Sequence, residues 1–420
     1  MIRKSLAGLF ATLFLLCFSG YANAAGGFVW RHITPADKPG KGEFSDTVTT
    51  DGGCLHGSCG YLPIRQVYWA DFNGDKITDL LYRDDNWTLW PGTVDGTFDR
   101  PIKSSGTCGT SSCAALVDGE ILLGDFNGDD IADILNRGQR FQVWLGTESG
   151  AFSTVKTSTV SCYYESCQRL NVGDVLVGDF SGDGISDVLH LGKNLTVWRG
   201  TAKGTFLDAV ETTGGCGSKT CDKVERTLFR TGDFNGDGAN DVLLRGTNLV
   251  VWYGNASGQF SGPKEITGGC FGERCDYLHT SKFHVGDFNG DGKDDVLYRD
   301  RNLTVRLGKE DGSFTSPVES YSGCGRTGCS ELDWRRVRIG DFTGDLASDV
   351  LYLGRNLTVW AGSDSGQFSS AVESVGGCAN TTCDTLHYYN VHIGDFNGDR
   401  SLDVLHRGDN LEVWLSTDDS

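Results

Sequence analysis

Asp233-Phe-Asn-Gly-Asp-Gly-Ala-Asn-Asp241 is the stretch whose reading decides the fold. It places oxygen-bearing side chains at loop positions 1, 3, 5 and 9, with glycine at position 6. Oxygens at alternate residues of a tight loop suit a hard cation such as Ca2+, which takes six to eight of them. The same pattern starts at Asp71, Asp125, Asp179, Asp233, Asp287, Asp341 and Asp395, each 54 residues after the last. Seven copies in one register make this a repeat protein, and the repeat governs every other reading.

The ends of the chain and its charge set bounds. Arg3 and Lys4, an apolar run from Leu6 to Phe18, and Ala22-Asn23-Ala24 read as a secretory signal peptide over residues 1–24, followed by a segment 25–41 and the repeats over 42–420. The peptide predicts a secreted or periplasmic protein. No later stretch reaches the roughly 20 apolar residues of a membrane-spanning helix. A net charge of −19 argues against nucleic acid and anionic membranes as partners. Much of that charge sits in the loops, where each repeat carries aspartates at positions 1, 5 and 9.

Apart from Cys17, which falls in the signal peptide, the cysteines come in pairs spaced Cys-x4-Cys: Cys54/Cys59, Cys108/Cys113, Cys162/Cys167, Cys216/Cys221, Cys270/Cys275, Cys324/Cys329 and Cys378/Cys383. In an exported chain these read as one local disulfide per repeat, each holding the loop from strand D to the next strand A. Zinc would need four ligands, and no second pair recurs nearby.

The fourth repeat serves as template. Arg226–Gly232 is predicted as strand A, Asp241–Arg245 as strand B, Leu249–Tyr253 as strand C and Phe260–Thr267 as strand D, with turns at Gly246–Asn248 and Asn255–Gly258. Four short strands per repeat predict an all-β, seven-bladed β-propeller. The last repeat ends after its strand C, while Phe44 is in register with Phe98 and Phe152. Residues 44–50 are therefore expected to complete the last blade. The loop is not an EF-hand, since position 12 is Tyr82, Asn136, His190, Leu244, Tyr298, Tyr352 or His406 rather than glutamate.

Asp-Phe-Asn-Gly-Asp-Gly followed by Asp-Val-Leu resembles the FG-GAP/VCBS repeat of integrin α-subunit heads and of bacterial and fungal seven-bladed lectins. The resemblance covers essentially the whole mature chain and is specific for fold and calcium rather than function. It implies calcium loops between strands A and B on one face, with the B–C turns and disulfide loops on the other.

The candidate metal ligands are Asp71, Asn73, Asp75 and Asp79; Asp125, Asn127, Asp129 and Asp133; Asp179, Ser181, Asp183 and Asp187; Asp233, Asn235, Asp237 and Asp241; Asp287, Asn289, Asp291 and Asp295; Asp341, Thr343, Asp345 and Asp349; Asp395, Asn397, Asp399 and Asp403. They predict up to seven structural Ca2+ ions. Lys76, Asp130, Leu346 and Arg400 stand at position 6, where positive φ costs a non-glycine residue about 1 kcal/mol. The Asp341 loop, with Thr343 and Leu346, is expected to be the weakest.

A tryptophan recurs in strand C as Trp90, Trp144, Trp198, Trp252, Trp360 and Trp414, with Arg306 in the fifth repeat. Exposed, these rings would stack on sugars and make a multivalent lectin; buried, they would be core. Asn86, Asn194, Asn248, Asn302, Asn356 and Asn410 precede strand C, and Arg83, Arg137, Arg245, Arg299 and Arg407 end strand B. Arg, Asn and Trp together predict pockets near the B–C face. The eight histidines form no catalytic pattern. Multivalent carbohydrate binding is the leading expectation. The alternative is a protein-interaction or adhesion module binding a cell-surface protein, and a polysaccharide-acting enzyme comes third.

Overall fold

Strand B of the fourth blade, Asp241–Arg245, is buried at every position. A strand with side chains alternating to opposite faces is buried throughout only when both faces of its sheet are covered. In the computed structural model each four-stranded antiparallel sheet is flanked by two neighbours in a seven-bladed propeller. The described residues are 41–417, except 51–53, 55–57, 106–107, 109–111, 117–120, 161, 163–166, 171–173, 217–218, 268–269, 271–273, 322–323, 325–327, 375–377 and 379–381. The signal-peptide reading lies outside them.

Strands A to D run as follows. Blade 1 has Val67–Ala70, Asp79–Arg83, Trp87–Trp90 and Ile102–Ser104. Blade 2 has Ile121–Gly124, Asp133–Arg137, Phe141–Trp144 and Lys156–Thr157. Blade 3 has Val175–Gly178, Asp187–Leu191, Leu195–Trp198 and Val210–Thr212. Blade 4 has Phe229–Gly232, Asp241–Arg245, Leu249–Trp252 and Lys264–Ile266. Blade 5 has Phe283–Gly286, Asp295–Arg299, Leu303–Arg306 and Val318–Ser320. Blade 6 has Val337–Gly340, Asp349–Leu353, Leu357–Trp360 and Val372–Glu373. Blade 7 has Val391–Gly394, Asp403–Arg407 and Leu411–Trp414, and Val48–Thr50 pairs antiparallel with its strand C, Val48 opposite Val413.

Strands A and D are shorter than the sequence predicts. Arg226–Leu228 forms a 3-10 turn, closed by Leu228 N–H donating to the Glu225 carbonyl at 3.0 Å. Phe260–Pro263 leave the sheet because Phe260 N–H donates instead to Thr212 Oγ1 of the preceding blade at 2.8 Å, and Pro263 has no N–H to give a ladder.

Three contacts recur around the ring. First, the position 1 carbonyl of each loop accepts from the position 8 N–H of the next. The donors are Ala132, Ser186, Asn240, Asp294, Ser348, Leu402 and Thr78, at 2.5–2.8 Å, and Thr78 bonds back to Asp395. Second, the phenylalanine at loop position 2 meets a phenylalanine of the next blade edge-on. These pairs run from Phe72–Phe152 to Phe342–Phe44 and Phe396–Phe98, with centroids 5.6–6.2 Å apart. Such pairs add about 0.5–1.5 kcal/mol beyond their buried area. Third, Thr50, Ser104, Ser158, Thr212, Ser320 and Ser374 at the ends of D strands accept from the N–H of that same second phenylalanine. Ile266 stands at the equivalent point of blade 4. The core thus lies between blades, in layers that each draw on two sheets.

All seven predicted disulfides form: Cys54–Cys59, Cys108–Cys113, Cys162–Cys167, Cys216–Cys221, Cys270–Cys275, Cys324–Cys329 and Cys378–Cys383. They point to an oxidising compartment. The structure adds one feature at the second cysteine of each pair. Cys59, Cys113, Cys167, Cys221, Cys275, Cys329 and Cys383 each begin a 3-10 turn and are at most 1% exposed. The reason is a backbone bond that the spacing of the cysteines does not reveal. Each N–H donates to a carbonyl of the B–C turn below it: Cys59 to Asp409, Cys113 to Asp85, Cys167 to Gln139, Cys221 to Lys193, Cys275 to Thr247, Cys329 to Arg301 and Cys383 to Arg355, at 3.1–3.3 Å. The bond draws the cysteine down onto the end of the sheet, so disulfide loops and B–C turns share one face.

Candidate functional site

The aspartate loops are held by their own backbone. In the first, Asp71 Oδ1 accepts from Gly74 N–H at 2.6 Å and Oδ2 from Lys76 N–H at 2.9 Å. Asn73 Oδ1 accepts from Asp75 N–H, and Asp75 Oδ1 from Ile77 N–H. Position 6 is left-handed throughout: Lys76, Asp130, Leu346 and Arg400 are the non-glycine residues of positive φ among the described residues, at 73°, 64°, 74° and 77°.

Position 9 has a structural task that the sequence reading did not contain. Asp79 Oδ2 accepts from Phe72 N–H and Oδ1 from Gly92 N–H, both at 2.8 Å. This one carboxylate ties the loop to the end of strand C. Burial pushes its pKa up to about 8, and Asp75 and Asp71 push the same way against the two hydrogen bonds. Asp241 is raised by burial to about 9. In blade 3 the tie differs: Asp187 accepts from Gly200 N–H through Oδ1 at 2.8 Å, and its second partner is the Ser181 side chain. Asn289 Oδ1 is buried and unpartnered. Hard oxygen donors, several carboxylates in one field and this orphaned oxygen fit a divalent cation chemically. Among the described residues, however, no three His, Cys, Asp or Glu side chains are already gathered as a metal site.

The recurring Trp, Arg and Asn do not form a common pocket. Trp90, Trp144, Trp198, Trp252, Trp360 and Trp414 are all 5% exposed or less. Their flat faces are covered by the adjoining blade, so the exposed-stacking expectation gives way to core packing. Arg306 takes that place in blade 5, with Nε donating to the Thr315 carbonyl at 2.9 Å. The strand-B arginines are buried too. They donate to carbonyls of the 3-10 turns after the disulfides: Arg83 to Cys113 and Leu116, Arg137 to Leu170, Arg245 to Leu278, Arg299 to Cys329, and Arg407 to Cys59 and Leu62. The asparagines before strand C do not take positive φ. In blades 3 to 6 their amides instead reach strand D, pairing Asn194–Glu211, Asn248–Glu265, Asn302–Glu319 and Asn356–Glu373.

One of these pairs frames a cleft. Glu211–Gly215 at the end of blade 3 and Trp252 with Gln259–Pro263 of blade 4 enclose ≈ 260 Å³ at the outer edge of the ring. Asn194 holds one wall from both sides: its Nδ2 donates to Glu211 Oε1 at 2.5 Å and its Oδ1 accepts from Gly215 N–H at 3.0 Å. Trp252 and Phe260 form the apolar wall, while Glu211, Thr212, Thr213, Gln259 and Ser261 bring carboxylate, hydroxyl and amide groups to the same space. The sequence reading missed Glu211 and Gln259. Their signal was the glutamate recurring in strand D as Glu211, Glu265, Glu319 and Glu373.

Blades of this construction, each carrying an Asp-x-Asn-x-Asp loop or its Ser or Thr variant between strands A and B, define a β-propeller of the FG-GAP type. The FG-GAP-like repeat family matches residues 233–298 and 287–352, and the remaining repeats keep the loop aspartates at positions 1, 5 and 9 in the same register. No curated protein matches the sequence. Among solved structures, the chain is similar to an Agrocybe aegerita lectin that specifically recognises non-reducing terminal N-acetylglucosamine. The TM-score is 0.61 and the identity 19%, over 80% of this chain and 82% of that one. It is also similar to the BP39L lectin of Burkholderia pseudomallei, with a TM-score of 0.50 and 16% identity, over 84% and 96% of the two chains. At these identities the likeness is one of fold.

Proposed function

We propose that the protein is an exported, calcium-stabilised propeller that binds carbohydrate. The observation that carries this reading is the cleft between blades 3 and 4. A saccharide ring needs hydrogen-bonding groups around its hydroxyls and an apolar wall for its C–H face. Glu211, Gln259 and the hydroxyls of Thr212, Thr213 and Ser261 offer the first, and the second is limited to the narrow margins of Trp252 and Phe260 left outside the core, 2% and 5% exposed. Its volume of ≈ 260 Å³ falls below the roughly 300–1,000 Å³ of pockets for drug-sized ligands, which suits a single ring. The lectin folds among the structural neighbours support the same class. Calcium would be held by loop positions 1, 3 and 5, with position 9 securing the loop, and would neutralise carboxylates that now face one another. Export is supported by the sequence of residues 1–24 and by the seven disulfides.

The test is a glycan array probed with the mature protein in calcium, beside a chelator-treated sample and the Glu211→Ala variant. Binding confined to one sugar class, competed by the free monosaccharide and lost in Glu211→Ala, is the expected result. A blank array from folded protein would overturn the carbohydrate reading, and an unchanged melting temperature after chelation would overturn the calcium reading.

A further inference from the structure

Arg230 lies in strand A of blade 4, at a register that blades 2 and 3 fill with Leu122 and Leu176. The fold therefore does not require an arginine there. Its Nη1 donates to the Thr227 carbonyl at 2.9 Å and its Nη2 to the Thr280 carbonyl of blade 5 at 3.3 Å. Arg245 arrives from strand B at the same two residues, with Nη2 donating to the Thr227 carbonyl at 3.3 Å and to Thr280 Oγ1 at 2.8 Å. Two guanidinium groups thus converge on one carbonyl. Arg226, one residue before Thr227, places a third positive charge close enough to act on Arg230. The Nε–H groups of Arg226 and Arg245 are buried and have no acceptor.

The acids nearby do not balance this. Glu225 and Asp276 act on Arg245, and Asp174 on Arg226. The field at Arg230 is set by burial, then by Arg245 and Arg226, with no carboxylate contributing. Carbonyl and hydroxyl oxygens meet these guanidinium groups, Arg230 Nη1 donating also to the Phe229 carbonyl at 2.7 Å, but no carboxylate neutralises Arg230, and guanidinium groups match oxyanions in geometry. Arg226, Arg230 and the blade 5 histidine His284 are only half-buried, and strand A is the free edge of its sheet. Arg245 itself is fully buried.

We propose that Arg226, Arg230 and Arg245 form an oxyanion site where the inner strands of blades 4 and 5 meet. It is separate from the cleft between blades 3 and 4. It would take either a free inorganic oxyanion or the acid group of a charged saccharide.

The experiment is a thermal-shift titration of the mature protein with sodium sulfate, against sodium chloride at equal ionic strength. The variants are Arg230→Leu, which copies blades 2 and 3, and Arg226→Thr, which copies Thr280 of blade 5. A saturable rise in melting temperature with sulfate but not chloride is expected, with apparent affinity at least tenfold weaker in each variant that folds. Glucuronate supplied as a competitor then separates the sources: competition assigns the site to an acidic saccharide, and its absence to an inorganic oxyanion. Equal sulfate responses in wild type and variants, or no saturable response, would overturn the site.

Discussion

At the scale of the residue, the loops record a conflict between side chain and backbone. Leu346 sits at φ 74°, a region that costs an L-residue about 1–2 kcal/mol. Replacing it by glycine adds freedom to the unfolded chain worth about 0.4–1 kcal/mol. The strain is the larger effect, so Leu346→Gly is predicted to raise stability by about 0.5–1 kcal/mol in a denaturant titration. Gly292→Leu is the mirror experiment. No atom lies within 4 Å of a Cβ built at Gly292, whose φ is 82°, so any loss there comes from the backbone alone. The buried histidines give a prediction in pH. Burial first, then Arg407, Arg338 and His406, hold His392 well below the usual imidazole pKa, and its ring packs 4.8 Å from that of Trp69. The unfolded chain takes up a proton near pH 6.5 that the folded chain refuses. The contribution is therefore fully present above about pH 6.5 and is lost as pH falls below it. His392→Leu, which copies Leu122 and Leu176 of blades 2 and 3, should have a flatter melting-temperature profile between about pH 6.5 and 5. A profile parallel to wild type would refute this.

At the scale of the element, five of the seven blades are tied to the next by an arginine and a disulfide together, through Arg83, Arg137, Arg245, Arg299 and Arg407. Arg407 donates to the carbonyls of Cys59 and Leu62 and, through Nη2, to Asn390 Oδ1 at 3.2 Å. Leu191 and Leu353 show that leucine fits this register, so Arg407→Leu should fold. It strands the Leu62 carbonyl, while the Cys59 carbonyl keeps Leu62 N–H as donor at 3.2 Å, and a buried acceptor left unpaired costs about 1–3 kcal/mol. A fall in the denaturation midpoint of that order is predicted; no change would mean that water replaces the guanidinium. Strand B was legible to the residue, because Asp241–Arg245 is set by the loop before it and the turn after it. Strands A and D were not, because their lengths depend on hydrogen bonds to other blades, such as that of Phe260 to Thr212. The cysteines divide in the same way. Their pairing followed from spacing, whereas the burial of Cys167, Cys221 and Cys383 depends on turns nearly 30 residues back, at Gln139, Lys193 and Arg355. The tryptophans illustrate the same limit. Their recurrence was plain, but whether a ring faces water or a neighbouring sheet is decided by the blade beside it. The cleft was least legible, since Glu211 and Trp252 belong to different repeats and meet only across a junction.

At the scale of the whole molecule, stability depends on the last blade being completed by the N-terminal strand. Without residues 41–50, strand C of blade 7 would lose its pairing with Val48–Thr50. Blade 6 would lose the Phe44–Phe342 contact and the bond from Phe44 N–H to Ser374 Oγ. Blade 1 would lose the acceptor Thr50 Oγ1 for Phe98 N–H. Burying a phenylalanine contributes about 1.5–3 kcal/mol and each net hydrogen bond about 0.5–1.5 kcal/mol, so the deletion should cost on the order of 5 kcal/mol. It would also expose the N–H and C=O groups of Leu411–Trp414 as an open edge, which recruits other chains. A chain beginning at residue 51 is therefore predicted to melt well below wild type and to run as oligomers or aggregate in size-exclusion chromatography. A peptide of residues 41–50 supplied in trans should restore both the melting temperature and the monomer peak, because it returns the missing strand without its covalent link. Rescue by that peptide, and none by one with Phe44→Ala and Val48→Asp, would locate the effect in strand pairing and ring contact rather than in chain length. A monomeric truncated protein with an unchanged melting temperature would instead mean that the loop-to-loop bonds, including Thr78 to Asp395, close the ring without the N-terminal strand.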